Sequence, residues 1–367
     1  MTTLAVAVNG FGFAAAADRF VGGSAGGTAT AEKLIAPRDG RPVAALWCGN
    51  SRPLGLAVNG LLGRWFARHP TPADRFAIYA EGFLDYLRAE LNDAAADMDP
   101  PRDHGPAAKA LRAATDVGWS ADMWAERRRS RVVSPDLPDG QALTGLADEL
   151  LNADALVVGK ALACEKLPDD PAHRLAVVLG TLSDIGRRRC GVVFVGCGEH
   201  DRLAEIHYVE IVGAARGRLL YQATREGADT GAFSPVLAGY AQTDVIDTFR
   251  SGVAADVRSG VQRAVDTLLR DVTEGKAEHE GWRRKRRAAF DEAFDAAVRR
   301  GHVEPLERSL AVAMPRELAA VTVNLVALTA FQRTLRERAP TVAGPFDACH
   351  GHSGGMLVRS TVAGTLV

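Results

Sequence analysis

Residues 4–19, Leu4-Ala-Val-Ala-Val8-Asn9-Gly10-Phe11-Gly-Phe-Ala-Ala-Ala-Ala17-Asp18-Arg19, decide the fold. Two short apolar runs flank an Asn-Gly step, and Asn-Gly supplies the positive φ angles of a tight hairpin turn. The segment therefore reads as two antiparallel strands. Its register is open between two loops. A three-residue loop Asn9-Gly10-Phe11 sets Val8 against Gly12 and Thr2 directly opposite Asp18 on one sheet face. A two-residue loop sets Thr2 opposite Ala17 and turns Asp18 to the other face. The chemistry argued below favours the three-residue loop.

Outward from the hairpin, the glycine-rich loop 22–28 leads through 30–37 to the apolar run Val43-Ala-Ala-Leu-Trp47, a third strand, which ends at Cys48-Gly49-Asn50. Two amphipathic helices follow. The first carries Val58, Leu61, Leu62, Trp65 and Phe66 on one face and the second Phe76, Phe83, Leu87 and Leu91, with Pro70 and Pro72 between them. Residues 97–188 read as a largely helical insertion, with a helix over 141–166. Strand character returns at 191–195, 203–211 and 218–222 as a meander. Apolar positions at helical spacing from Ile246 to Val272 predict one long amphipathic helix over 243–272. Further helices are expected over 277–300 and 315–338, and a hairpin over 346–359. Strands and helices come in segregated blocks, which favours α+β layers over a doubly wound sheet. Residues 1–367 read as one domain.

Composition narrows the function classes. Lys plus Arg number 44 and Asp plus Glu 45, a net charge of −1, so nothing in the balance attracts nucleic acid or an acidic membrane surface. Cys48, Cys164, Cys190, Cys197 and Cys349 are odd in number and form no C-x-x-C, against a zinc ribbon or disulfide framework and in favour of a reducing cytoplasm. No signal peptide and no uninterrupted membrane-spanning run is read, and the chain is expected to begin work near its own first residue.

The residues that carry chemistry are Thr2, Asp18, Lys33 and Gly49, with Thr3 alongside. A threonine at a free amino terminus can attack an amide carbonyl with its own α-amine as base, since that amine titrates at about 7.7–8.0. A nearby lysine ammonium favours the neutral amine and the developing alkoxide, and a carboxylate holds the lysine. A backbone N–H at a glycine turn can hold the oxyanion.

In order along the chain, Met1-Thr-Thr-Leu-Ala-Val, Ala16-Ala17-Asp18-Arg19, Thr30-Ala-Glu-Lys33-Leu and 43–49 resemble the start of proteasome β-subunits and the bacterial HslV peptidase. The resemblance implies an N-terminal-nucleophile hydrolase with a four-layer αββα sandwich, to which this chain adds the helical insertion and extended C-terminal helices. It implies Thr2 as nucleophile once Met1 is removed, Asp18 and Lys33 as its charge partners, Gly49 as oxyanion donor and Trp47 as a pocket residue. It further implies a peptide or unfolded-protein substrate, a homo-oligomer in the form of a ring or related assembly, an ATPase or other regulatory partner, and no cofactor or metal. The chain departs from the family where a Gly-Ser-Gly segment is usual, reading Leu237-Ala-Gly-Tyr-Ala-Gln242 instead. That departure motivates an alternative, a catalytically silent structural subunit; a small-molecule amidase is a third reading.

Other motifs have plainer explanations. The 22–28 loop lacks the Gly-Lys-Ser/Thr ending of a phosphate loop. His200, His207, His350 and His352 read as loop or surface histidines, and the Arg283–Arg287 run, flanked by Glu278, Glu280, Asp291 and Glu292, as a solvated helix face.

Overall fold

A computed structural model describes residues 2–22, 28–53, 56–69, 73–94, 190–215, 218–227, 234–273, 279–336 and 342–363. The expected 97–188 insertion, with its helix over 141–166, lies wholly outside this set. Strands β1 (Thr3–Asn9) and β2 (Gly12–Asp18) are buried at every residue. They sit in the middle of a five-stranded antiparallel sheet of order β10-β1-β2-β11-β12, with β10 at Val236–Ala241, β11 at Phe346–Gly351 and β12 at Val358–Val362. The second antiparallel sheet, order β5-β6-β7-β8-β9, comprises Leu34–Ile35, Val43–Gly49, Cys190–Gly196, Glu205–Ala215 and Arg218–Gly227. A short ribbon, β3 (Phe20–Gly22) with β4 (Thr28–Thr30), links the two.

Alternation of side chains along the strands builds the layers. Leu4, Val6 and Val8 point between the sheets, where they meet Phe13, Ala15, Leu46, Val193 and Ile206. Ala5, Ala7, Ala14 and Ala16 point the other way, toward α7 (Pro315–Arg336). Four alanines on that face leave room for a helix to lie close. On the far side of the second sheet, α1 (Val58–Arg68) and α2 (Ala77–Ala94) cover Val43, Ala45, Trp47, Val192 and Phe194. The result is an α+β sandwich of four layers. The helical faces read from sequence are the buried ones: Val58, Leu61, Leu62, Trp65 and Phe66 in α1, and Phe83 and Leu87 in α2. Although α7 is long and apolar enough by composition to cross a membrane, one side of it rests on the first sheet, through Leu318, Leu325, Val326 and Ala330.

Two expectations need correction. The first hairpin turns through Gly10 and Phe11, with Asn9 paired to Gly12 and Leu4 to Ala17, a register that matches neither loop weighed from sequence. Continued by one step, it puts Thr3 rather than Thr2 opposite Asp18. The cause is Asn9. Its Oδ1 accepts the N–H groups of Phe11 and Gly12 at 2.9 and 3.1 Å, while its Nδ2 donates to the carbonyls of Leu310 and Ala313, both at 2.7 Å. These carbonyls close α6 (Glu304–Val312), a helix not read from sequence. Gly12 carries the positive φ, 152°, and a Cβ there would meet the Gly351 carbonyl at 2.3 Å.

The second correction is that the long helix is two, α3 (Asp244–Ser251) and α4 (Ala255–Val272), broken at Gly252 with φ of 73°. Beyond that break, α4 buries none of its residues, and Val257, Leu268 and Val272 stay 55–74% exposed. Its companion is α5 (Glu280–Val298), held by Arg258 to Asp295 at 2.7 Å, Gln262 to Asp291 at 3.2 Å and the pair Arg287–Asp266. A π-helical turn, Arg299–Val303, joins α5 to α6.

Candidate active site

The N-terminal end of β1, the end of β2 and the approach to β5 meet at one place. Lys33 directly precedes β5, and its carbonyl accepts the Trp47 N–H at 3.0 Å, which fixes the Lys33 main chain to β6. Its side chain turns toward β2. Nζ donates to Asp18 Oδ2 at 2.9 Å and to the Phe20 carbonyl. Both side chains are essentially sealed from solvent, 1% exposed for Lys33 and 0% for Asp18.

Asp18 is the hub. Oδ1 accepts the backbone N–H of Thr3 at 2.8 Å, and Oδ2 accepts the N–H of Phe20 at 3.1 Å beside the Lys33 ammonium. Burial pushes the Asp18 carboxyl above its usual range, against the pull of Lys33 and of the Thr3 N–H. Burial likewise pushes Lys33 below its usual range, against the pull of Asp18. Three donors aimed at one carboxyl suit the carboxylate rather than the acid, and we describe the pair as ionised. Isolated charges buried this deeply would cost far more than a domain can spare, so each partner requires the other.

Thr2 precedes β1 and is 5% exposed. By alternation along β1 it shares the inter-sheet side with Leu4 and Val6. Its carbonyl accepts the Gln242 N–H at 3.1 Å, and the peptide that follows it is the one whose N–H Asp18 holds. The structure thus brings Asp18 and Lys33 into contact and ties Asp18 to the main chain immediately after Thr2. Thr3 is fully buried, and its hydroxyl has no hydrogen-bond partner among the described residues.

Gly49 ends β6 with φ of 82°, a left-handed conformation that suits glycine, and it is exposed. It lies two residues past the Trp47–Lys33 hydrogen bond, at the same end of the sheet as Lys33. Trp47 alternates to the other side. It is 2% exposed, packs in the cluster beneath α1 and α2, and donates its indole N–H to the Glu32 carbonyl at 3.0 Å. The indole is core, and its ring anchors the chain next to Lys33.

Two features of the site escaped the sequence reading. The Thr3 N–H to Asp18 bond is a main-chain contact with no residue signature. Ala241, at the end of β10, has φ of 69°, the one positive value among the described non-glycine residues, and it delivers the Gln242 N–H to Thr2.

Nearby Cys48 is buried between the sheets with its thiol pushed up to about 12 by burial and by Glu210. Among the described residues, no group of three or more His, Cys, Asp or Glu side chains could hold a metal ion. His207 instead contacts Glu205 at 3.0 Å, and His352 the carbonyl of Ser353 at 2.9 Å. Most of the 22–28 loop, residues 23–27, lies outside the described set.

No family model matches the chain, and no curated protein matches it. Solved structures with some similarity include Anbu from Hyphomicrobium sp. strain MC1, at 9% identity and a TM-score of 0.32, covering 98% of this chain and 87% of that one. A Gly-1 mutant of the same protein gives 11% identity and a TM-score of 0.29, with the same coverage. Anbu from Yersinia bercovieri, described as an ancestral β-subunit, gives 11% and 0.32, covering 98% of this chain and 86% of that one.

Proposed function

We propose that the chain is a proteasome-type N-terminal-nucleophile hydrolase that cleaves peptide bonds with Thr2, after removal of Met1. The observation that supports this reading best is the buried Lys33–Asp18 pair, 2.9 Å apart, whose Asp18 accepts the N–H of the peptide that joins Thr2 to Thr3. A lysine and an aspartate sealed from water need a strong reason to be there.

In this mechanism Thr2 Oγ attacks the carbonyl carbon of the substrate and its proton passes to the Thr2 amine. The Lys33 ammonium, two of whose three hydrogens go to Asp18 and Phe20, directs its third toward the developing alkoxide. The N–H of Gly49 holds the tetrahedral oxyanion. The C–N bond then breaks, the amine returns the proton to the leaving nitrogen, and water hydrolyses the ester on Thr2 with the amine again as base. Activity rises with pH as the amine loses its proton, from an ordinary value of about 7.7–8.0 that the neighbouring ammonium lowers.

The same reading carries a peptide or unfolded-protein substrate, a homo-oligomer and a cytoplasmic setting. A second reading, the silent structural subunit, is favoured by the stretch Leu237-Ala-Gly-Tyr-Ala-Gln242, which lacks the family's usual serine. Intact mass after treatment with an epoxyketone or β-lactone separates the two. A single adduct on Thr2 of the Met1-processed protein, and none when Met1 is retained or in Thr2→Ala, is the expected result. Hydrolysis that is equal in processed and unprocessed forms would sink the mechanism.

A further inference from the structure

The peptide group between Thr2 and Thr3 is held at both polar atoms. Its N–H donates to Asp18 Oδ1 at 2.8 Å, and its carbonyl accepts the main-chain N–H of Gln242 at 3.1 Å. The second bond depends on an unusual corner. β10 follows β1 as far as Ala241 opposite Thr3, and Ala241 then turns at φ of 69° into Gln242 and α3. A left-handed alanine brings its Cβ too close to the following carbonyl, and such strain persists only where the surroundings over-determine it. The corner faces the residue that the proposed chemistry depends on.

We propose that the Ala241–Gln242 corner is a positioning device for the nucleophile, with Gln242 as a positioning residue acting through its main-chain N–H. The inference rests on the N-terminal-nucleophile reading above. A first residue has no preceding peptide to anchor it, and chain ends fray unless tied down. Here the one peptide bond that would join Thr2 to the fold is clamped from two strands, by Asp18 on β2 and by Gln242 at the end of β10. With that plane fixed, only rotations within Thr2 itself remain to place its amine and Oγ. The corner also lies where the resemblance to the family breaks down. A main-chain N–H can supply support there without any side-chain motif.

The test uses the Met1-processed protein and three substitutions at one position. Glycine takes up positive φ without strain, asparagine tolerates it, and a β-branched valine resists it. Ala241→Gly and Ala241→Asn are expected to be acylated on Thr2 by a β-lactone at rates close to the unsubstituted protein. Ala241→Val is expected to lose about 10²-fold in kcat, the loss that follows from a displacement of about 1 Å, with KM little changed. Hydrogen exchange of the Gln242 amide should be slow in the first three proteins and fast in Ala241→Val. Normal kcat in Ala241→Val, or a loss as large in Ala241→Gly, overturns the positioning role while leaving Thr2 as nucleophile. Free exchange at Gln242 in the unsubstituted protein overturns it even if Ala241→Val does not fold. Absence of any Thr2 adduct in the unsubstituted protein removes the nucleophile reading, and this inference with it.

Discussion

Replacing the two charges of the buried pair, singly and together, separates a structural from a chemical role. Asp18→Asn leaves the Lys33 ammonium, 1% exposed, facing a neutral amide. Uncovering one partner of a buried pair costs ~3–5 kcal/mol, a large part of the ~5–15 kcal/mol that holds a domain together. Lys33→Met should cost less near acid pH, because the stranded carboxyl can take a proton. In that variant the folded Asp18 titrates above its ordinary 3.8, so the folded state binds more protons than the unfolded one, and stability falls as pH rises past that value. The double variant, Asp18→Asn with Lys33→Met, removes both charges, keeps an acceptor for the Thr3 N–H and fills the lysine volume with a thioether. It should return to within ~1–2 kcal/mol of the parent, as isosteric replacement of buried pairs commonly does. Urea unfolding followed by tryptophan fluorescence measures each step, and Thr2 acylation by a β-lactone measures chemistry on the same samples. All three variants should lack acylation activity, including the stable double variant. Full activity in the double variant would show that the pair serves only the fold and would refute the mechanism argued here.

Three further outcomes follow from individual contacts. Thr3→Val removes a buried hydroxyl that has no partner among the described residues, so stability should change by less than ~1 kcal/mol or improve, and acylation should persist; inactivity would shift the nucleophile from Thr2 to Thr3. Cys48, Cys190, Cys197 and Cys349 are buried thiols whose ionisation burial pushes upward, so iodoacetamide should leave hydrolysis by the native protein intact, and rapid inactivation tracking modification of Cys48 would contradict that. Glu205 is pushed up by burial but held below its ordinary 4.5 by His207 and Arg225, so its stabilising effect is present above that value and fades as pH falls through the lower folded one. The stability gap between the parent and Glu205→Gln, measured by denaturation from pH 6 toward acid, should therefore close, and a gap independent of pH would argue against the ion pair.

What the sequence revealed, and what it hid, divides along the range of the interactions. The strands of the first hairpin, the meander and the buried face of α1 are written in local periodicity, and Val58, Leu61, Leu62, Trp65 and Phe66 lie where that periodicity puts them. The hairpin register is not local. It depends on Asn9 bonding to carbonyls 301 and 304 positions away, and no turn statistic contains Leu310 or Ala313. The same holds for the break at Gly252, where a Cβ would meet the His302 ring at 2.7 Å. Nor does periodicity report burial. Val257, Leu268 and Val272 recur at helical spacing, yet α4 leaves them exposed, because spacing reports that a helix has an apolar face and not that this chain covers it.

The candidate site shows the same division within a few ångströms. Thr2, Asp18 and Lys33 stand out in the sequence because the chemistry proposed for them needs particular side chains, and side chains are what a sequence records. The contacts that bind them to one another are mostly main-chain: Thr3 N–H to Asp18, Lys33 carbonyl to Trp47 N–H, Thr2 carbonyl to Gln242 N–H. Any residue type except proline could donate these bonds. This explains how Asp18 still meets Lys33 although the register is shifted by one residue from the expected one. With Thr3 opposite Asp18, the carboxylate takes the amide that immediately follows Thr2, and it reaches Lys33 with its other oxygen. Were Thr2 itself opposite Asp18, the two side chains would share a face and the carboxylate would lie beside the threonine hydroxyl. The observed register instead leaves the Thr2 side chain on the inter-sheet face and uses Asp18 to hold its backbone. In the proposed mechanism that is the more useful arrangement, because the base must be the Thr2 amine and a carboxylate next to the hydroxyl would compete for its proton.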